Sequence, residues 1–198
     1  MLQLDNDVNM EGSQALDTTP VLAVGSLRVS RLGRAAAALA LIAAAVSGLS
    51  TVAIWSDPDL VRDLVAPPLH IAGRLLGLDA TVRALGFLAA ATPVALFMIA
   101  LVEVARMFWS FAAGRVFELE TARRIRLIGA AAIGLAFANP LAGIVESALL
   151  TAGNPKGGRV IALSFAYQDC AALIAGLALI AFAAAMQEAA RLSEVRSG

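Results

Sequence analysis

The chain has 198 residues, of which 60% are hydrophobic and 15% are charged, and its mean hydropathy is +0.80. Soluble domains usually contain roughly 45–50% apolar and about 25% charged residues, so the composition excludes an ordinary soluble protein. The 15 basic residues balance 15 acidic ones. No overall charge therefore favours direct nucleic-acid binding, and the bilayer is the first expected partner.

The N-terminal segment, residues 1–30, is polar and rich in acidic side chains such as Asp5, Asp7 and Glu11. It lacks helical or strand periodicity, which predicts a mostly disordered cytoplasmic tail. A secretory signal begins with a short basic region, whereas a long acidic stretch precedes the first apolar run here. Cleavage after that run is therefore not expected.

Four later stretches are long enough to cross a bilayer, which takes about 20 apolar residues. They predict helices over about residues 35–55, 85–107, 125–150 and 160–186. Thr92-Pro93 and Asn139-Pro140 are predicted kink sites, because proline removes a backbone N–H. The predicted fold class is all-α: a four-helix transmembrane bundle with short loops, in which neighbouring helices are antiparallel within one domain, residues 31–196.

Residues 56–84 connect the first two predicted spans and include the double proline Pro67-Pro68. The apolar residues on either side of it favour short amphipathic helices on the membrane surface. His70 is the only histidine and Cys170 the only cysteine. A protein metal site needs several convergent ligands, so no metal is expected, and Cys170 is interpreted as a small packing residue.

Basic residues are distributed unequally between the two sides of the predicted spans. One side, formed by both termini and the central loop, carries Arg28, Arg31, Arg34, Arg106, Arg115, Arg123, Arg124, Arg126, Arg191 and Arg196. The other side carries Arg62, Arg74, Arg83, Lys156 and Arg159. Because cytoplasmic loops are enriched in basic residues, both termini are predicted to be cytoplasmic. The alanine- and arginine-rich composition is typical of bacteria, which predicts the bacterial inner membrane.

Three carboxylates, Glu103, Glu146 and Asp169, lie within predicted spans, where a charge must face protein, water or an interface. One hypothesis is that Asn139, Glu146, Gln168 and Asp169 converge in a polar cavity that binds a cation, a proton or a small polar ligand. In the alternative, Glu146 reaches the headgroups and Asp169 makes a hydrogen bond between helices. Glu103 lies three residues before Arg106, which predicts an interfacial ion pair.

The central cytoplasmic loop combines aromatic and basic residues. The residues of interest are Trp109, Gly114, Phe117, Arg123, Arg124 and Arg126. They indicate either a docking surface for a partner or an anchor to lipid headgroups. The chain has no Gly-rich phosphate loop, no GxSxG or HExxH motif and no Cys/His cluster, so neither an enzyme nor a cofactor is expected.

The pattern Phe111-x-x-Gly114-x-x-Phe117, followed by Thr121, Arg123, Arg124, Ile125, Arg126, Ile128 and Gly129, resembles the central signature of a bacterial family of four-span integral membrane proteins, domain of unknown function 2975. Residues 188–194 are similar to that family's closing charged helix. Thr121 differs from the asparagine frequent in the family. The resemblance implies membrane-linked regulation, because many members are encoded beside a small helix-turn-helix regulator.

Together these patterns favour a non-enzymatic membrane protein that binds a partner through its cytoplasmic face. The partner would be a small helix-turn-helix regulator or a larger membrane complex that the chain serves as an accessory subunit. The alternative function is a small transporter, channel or ligand sensor that uses the intramembrane carboxylates Glu146 and Asp169.

Overall fold

The computed structural model describes residues 19–71, 78–113, 119–155, 158–163 and 165–197. Within these ranges the chain is helical and forms no β-strand, which confirms the predicted all-α class. The helices are α1 (Thr19–Ser56), α2 (Pro58–Leu60), α3 (Ala80–Ala112), α4 (Leu119–Leu150) and α5 (Tyr167–Ser197). A π-helical turn, Val61–Val65, continues α2.

Helix α1 begins earlier than predicted. Residues 1–18 of the predicted tail lie outside the described residues, but residues 19–30 belong to α1, so the prediction of disorder is wrong for them. Pro20 lies in the first turn, where its missing N–H removes no helical hydrogen bond. No later proline interrupts the helix before Ser56.

Four of the helices contain a stretch that is long and apolar enough to span a membrane: Arg31–Ser56, Ala80–Ala112, Glu120–Leu150 and Tyr167–Leu192. They pack in chain order as a row, α1 on α3, α3 on α4 and α4 on α5. Each helix is antiparallel to the next, as predicted: Gly33 of α1 meets Phe108 of α3, and Trp55 meets Gly86. In the described residues α1 does not pack along α5, so the row is not closed into a cylinder.

We call the end of the row where α3 ends and α4 begins the arginine end, because Arg123 and Arg126 lie there. The other end holds the densest core. Val61, Ile71 and Leu150 are buried there, and Val61 and Ile71 come from the connection after α1. The predicted surface helix before the double proline therefore turns inward at α2 and the π-helical turn instead of lying apart on the membrane. The one predicted after the double proline falls largely on residues 72–77, which lie outside the described residues.

Backbone details explain why this connection folds inward. The carboxylate of Asp57 accepts the N–H of Asp59, and Pro58 opens α2, so the chain after α1 restarts as a short helix. His70 has a φ of 57°, in the left-handed region. That turn keeps His70 exposed while Leu69 and Ile71, on either side of it, are buried.

Helices α4 and α5 touch through two glycines. A Cβ at Gly129 would lie 2.7 Å from the carbonyl oxygen of Gly176, and a Cβ at Gly176 would lie 2.6 Å from that of Gly129. On α5, Asp169, Gly176 and Ala183 recur every seven residues and all are buried. A repeat of seven keeps one face toward a partner helix, and small residues let two backbones approach closely.

The last span differs from its prediction. Residues 160–186 were expected to be one helix, but α5 begins at Tyr167, and the preceding residues that the structure describes, 158–163, 165 and 166, are not helical. We call the described residues 158–163, 165 and 166 the extended segment. Its large residues Ile161, Leu163 and Phe165 are exposed, whereas Val160, Ala162 and Ala166 are half-buried. This alternation is the two-residue period of an extended chain.

Candidate functional site

A hydrogen bond joins the two helices at the centre of the predicted polar cavity. The Asn139 Nδ2 donates to Asp169 Oδ1 over 3.0 Å, and the Asp169 side chain is buried. The sequence hypothesis expected these two residues to meet, and they do. Asn139 lies eleven residues before Leu150, so the pair lies roughly 16 Å along α4 from that end.

The second carboxylate oxygen of Asp169 accepts a hydrogen bond from the backbone. Asp169 Oδ2 accepts the N–H of Ala166 over 2.9 Å. Ala166 precedes the first residue of α5 and Asp169 is the third, which is the geometry by which an acidic side chain closes a helix N-terminus. Asp169 therefore fixes where α5 begins and holds that turn against α4.

Side chains of α4 bind the backbone of the extended segment. Ala162 donates its N–H to Ser147 Oγ over 2.8 Å, and Val160 donates to Thr151 Oγ1 over 3.0 Å. Asn154 Nδ2 donates to the carbonyl of Gly158 over 2.9 Å. Ser147, Thr151 and Asn154 are all buried. In a span, non-helical backbone is tolerated where protein groups satisfy its polar atoms. These three residues do so for the carbonyl of Gly158, the N–H and carbonyl of Val160 and the N–H of Ala162.

Sequence reasoning missed Ser147, Thr151 and Asn154. The available signal was the alternation of small and large residues from Ala162 to Tyr167, which is typical of an extended chain and not of a helix. Ser147 and Thr151 are also four residues apart, so both hydroxyls lie on one face of α4. The high hydropathy of residues 160–186 outweighed this alternation in the prediction, because a long apolar stretch predicts a transmembrane helix whether its residues repeat every two or about every 3.6 positions.

The other two members of the predicted cavity do not join the pair. Gln168 is exposed and Glu146 is half-buried, and the side chain of neither makes a hydrogen bond or ion pair with any other residue that the structure describes. The predicted four-residue site is therefore reduced to the Asn139–Asp169 contact. In residues 19–71, 78–113, 119–155, 158–163 and 165–197, histidine, cysteine and acidic residues form no cluster of metal-binding size. Cys170 is exposed, so its interpretation as a packing residue is wrong.

The arginine end presents a different arrangement. Arg123 and Arg126 are exposed and make no ion pair within the described part of the chain. Arg124 is half-buried, and its Nη2 lies 3.1 Å from Glu120 Oε1. On the opposite face of this turn Thr121, Ala122 and Ile125 are buried. The first turns of α4 thus separate a packed face from a cationic face.

The remaining residues predicted for this region lie at the end of α3 or outside the described residues. Trp109 is exposed near the end of α3, whereas Gly114 and Phe117 lie outside the described residues. The Arg106 guanidinium donates to the buried carboxylate of Glu103, which confirms the predicted pair. The pair neutralises the one carboxylate that α3 buries, so Glu103 has a structural role.

The fold defines a multi-pass α-helical membrane protein. No protein-family model, no curated protein and no solved structure matches the chain.

Proposed function

We propose that this is a non-enzymatic protein of the bacterial inner membrane that binds a protein partner through its cytoplasmic face, as a regulatory or accessory subunit. The observation that carries the proposal is the exposure of Arg123 and Arg126 without a carboxylate partner among the described residues. Arg106 and Arg124, close by, are both ion-paired. Two guanidiniums without an ion pair in the described residues, at the same end of the row as the exposed indole of Trp109, suit an acidic surface.

The distribution of charge supports the proposed orientation. Exposed aspartates, Asp57, Asp59, Asp63 and Asp79, lie at the end opposite to Arg123 and Arg126. Because cytoplasmic ends of spans are enriched in basic residues, the arginine end is the cytoplasmic one in this proposal. The free face of α4 is then presented to cytoplasmic proteins.

The alternative function, a small transporter, channel or ligand sensor, has less support. Both carboxylate oxygens of Asp169 already accept hydrogen bonds from the chain itself, and Gln168 lies apart from the pair. Glu146 is the one intramembrane carboxylate without a partner in the described ranges. A transport function would therefore depend on Glu146.

Photo-crosslinking tests the docking proposal. A benzoylphenylalanine at position 123 should capture a protein in cells, whereas the same group at position 62, at the opposite end, should not. The captured protein should co-purify with the wild type in mild detergent and be lost with Arg123→Ala/Arg126→Ala. The matched control is Arg124→Ala. Because Arg124 already forms an ion pair with Glu120, this variant should still co-purify with the captured protein.

The opposite result has a defined meaning. If the double substitution changes the co-purified lipids but no protein depends on it, the arginines anchor headgroups and the docking proposal is wrong. Direct enzymatic activity in the purified protein would contradict the non-enzymatic part.

A further inference from the structure

A polar hollow opens between the last turn of α1 and the first turns of α3. It has a volume of about 400 Å³, and the residues that line it include Val52, Trp55, Ser56, Arg83 and Phe87. It lies at the end of the row opposite to the arginine end. It takes no part in the docking surface and does not depend on the proposed function.

An apolar groove adjoins this hollow. The groove has a volume of about 590 Å³, and Val52 and Phe87 line both it and the hollow, so the two adjoin along the contact of α1 and α3. We call the hollow and the groove together the cleft. Small residues, Gly48 and Ala91 among them, form its floor. Leu49 is 71% exposed, so the groove opens sideways where a bilayer would lie.

The length of the groove matches one leaflet. It extends from Phe87 to Met98 along α3, which is roughly 16 Å at 1.5 Å per residue. The hydrocarbon core of a bilayer is about 30 Å thick, so the groove covers about half of it. A single acyl chain that enters from the hollow would follow the groove to the bilayer midplane.

Arg83 gives the hollow a positive charge. Its Nη1 donates to the carbonyl of Ser56, while its Nε is buried and has no partner among the described residues. It makes no ion pair there either. Asp79, four residues earlier, accepts the N–H of Val82 with its carboxylate and caps α3, and it forms no ion pair with Arg83. Ala80, the first residue of α3, also lines the hollow.

We propose that this cleft binds an anionic phospholipid, with the phosphate beside Arg83 and the first turn of α3 and one acyl chain in the groove. Charge and shape both select this ligand. The guanidinium, which forms no ion pair among the described residues, favours an anion, and the apolar groove below it favours a chain that a free phosphate lacks.

Tryptophan fluorescence tests the proposal, because Trp55 lines the hollow. A Trp109→Phe variant leaves Trp55 as its single tryptophan. It would be reconstituted in phosphatidylcholine vesicles that contain a small fraction of either phosphatidylglycerol or phosphatidylcholine with brominated acyl chains, which quench tryptophan at short range. We expect about fivefold preferential quenching by the anionic lipid, the effect of one arginine near a membrane surface.

Three variants separate the parts of the site. Arg83→Gln should abolish the preference, whereas Arg62→Gln, at the same end but paired with Asp59, should keep it. Ala95→Phe fills the groove and should reduce quenching by both brominated lipids. If the site bound only a headgroup or a free phosphate, this substitution would leave the quenching unchanged. Ala138→Phe, between α3 and α4, is its matched control. Equal quenching by the two lipids in the parent, or an unchanged preference in Arg83→Gln, would overturn the proposal.

Discussion

Asn139 and Asp169 join α4 to α5 through one hydrogen bond, and the other oxygen of the same carboxylate closes the first turn of α5. Asp169→Ala should lower the free energy of unfolding by about 1–3 kcal/mol, because it leaves the Ala166 N–H and the Asn139 amide without an acceptor. Unfolding in mixed detergent micelles, followed by circular dichroism, measures this loss.

Asp169→Asn is the matched control for that substitution. If the Asn139 amide turns over, its Oδ1 accepts from the NH₂ group that the substitution introduces at position 169. The remaining side-chain oxygen at position 169 still accepts the N–H of Ala166. The cost should stay below about 1 kcal/mol. An alanine variant as stable as the wild type would show that Asp169 does not hold the start of α5.

Thr151→Val should loosen the extended segment. Valine keeps the shape of threonine but cannot accept the N–H of Val160, which is then left without a partner. Amide hydrogen exchange of the peptide that covers residues 158–166 should accelerate by about tenfold, as expected for a loss of about 1.4 kcal/mol of local stability. The comparison is Thr51→Val, whose hydroxyl bonds only a carbonyl of its own helix. Exchange that is the same in both variants would contradict the role of Thr151.

Gly176→Ala should separate α4 from α5. Its Cβ would lie 2.6 Å from the backbone oxygen of Gly129, and a backbone of this kind cannot rotate away. Overpacking of this sort costs about 1–3 kcal/mol, so the unfolding midpoint should fall. Gly134→Ala provides the control, because its Cβ meets the flexible end of Leu96 at 3.3 Å and should be nearly neutral. Two variants with the same midpoint would argue against the glycine contact.

The proposed orientation predicts which introduced cysteines react with a reagent that cannot cross the membrane. In a Cys170→Ala background, Arg159→Cys should react with a membrane-impermeant maleimide in spheroplasts, whereas Arg123→Cys should react only after the membrane is opened. Both arginines are exposed, so burial does not bias the comparison. The reverse pattern would place the docking surface outside the cytoplasm.

Much of the fold follows from the sequence. Hydropathy alone identified four spans, because each is an apolar stretch longer than a soluble core helix. The Glu103–Arg106 pair followed from a spacing of three residues on one helix. Such local relationships are fixed by helix geometry and need no knowledge of the neighbours.

The start of α5 could not be predicted in the same way. Asp169 caps α5 through the nearby Ala166, but its side chain is also held by Asn139 of α4. Ser147 and Thr151 of α4 bind the backbone of the extended segment. The predicted cavity failed for a related reason. The predicted helix over residues 160–186 placed Gln168 well inside a span. In the structure Gln168 is exposed and lies in the first turn of α5. Contacts between distant residues decided both outcomes.

The arrangement of the long helices in a row has a consequence for permeation. In the described residues the long helices pack as the pairs α1 with α3, α3 with α4 and α4 with α5, and α1 does not pack along α5. Within the part of the chain that the structure describes, the four long helices of one copy are therefore not arranged as a closed ring around a lumen. A conducting path would have to form between several copies around a shared axis, and its gate would then belong to the assembly and not to the single chain.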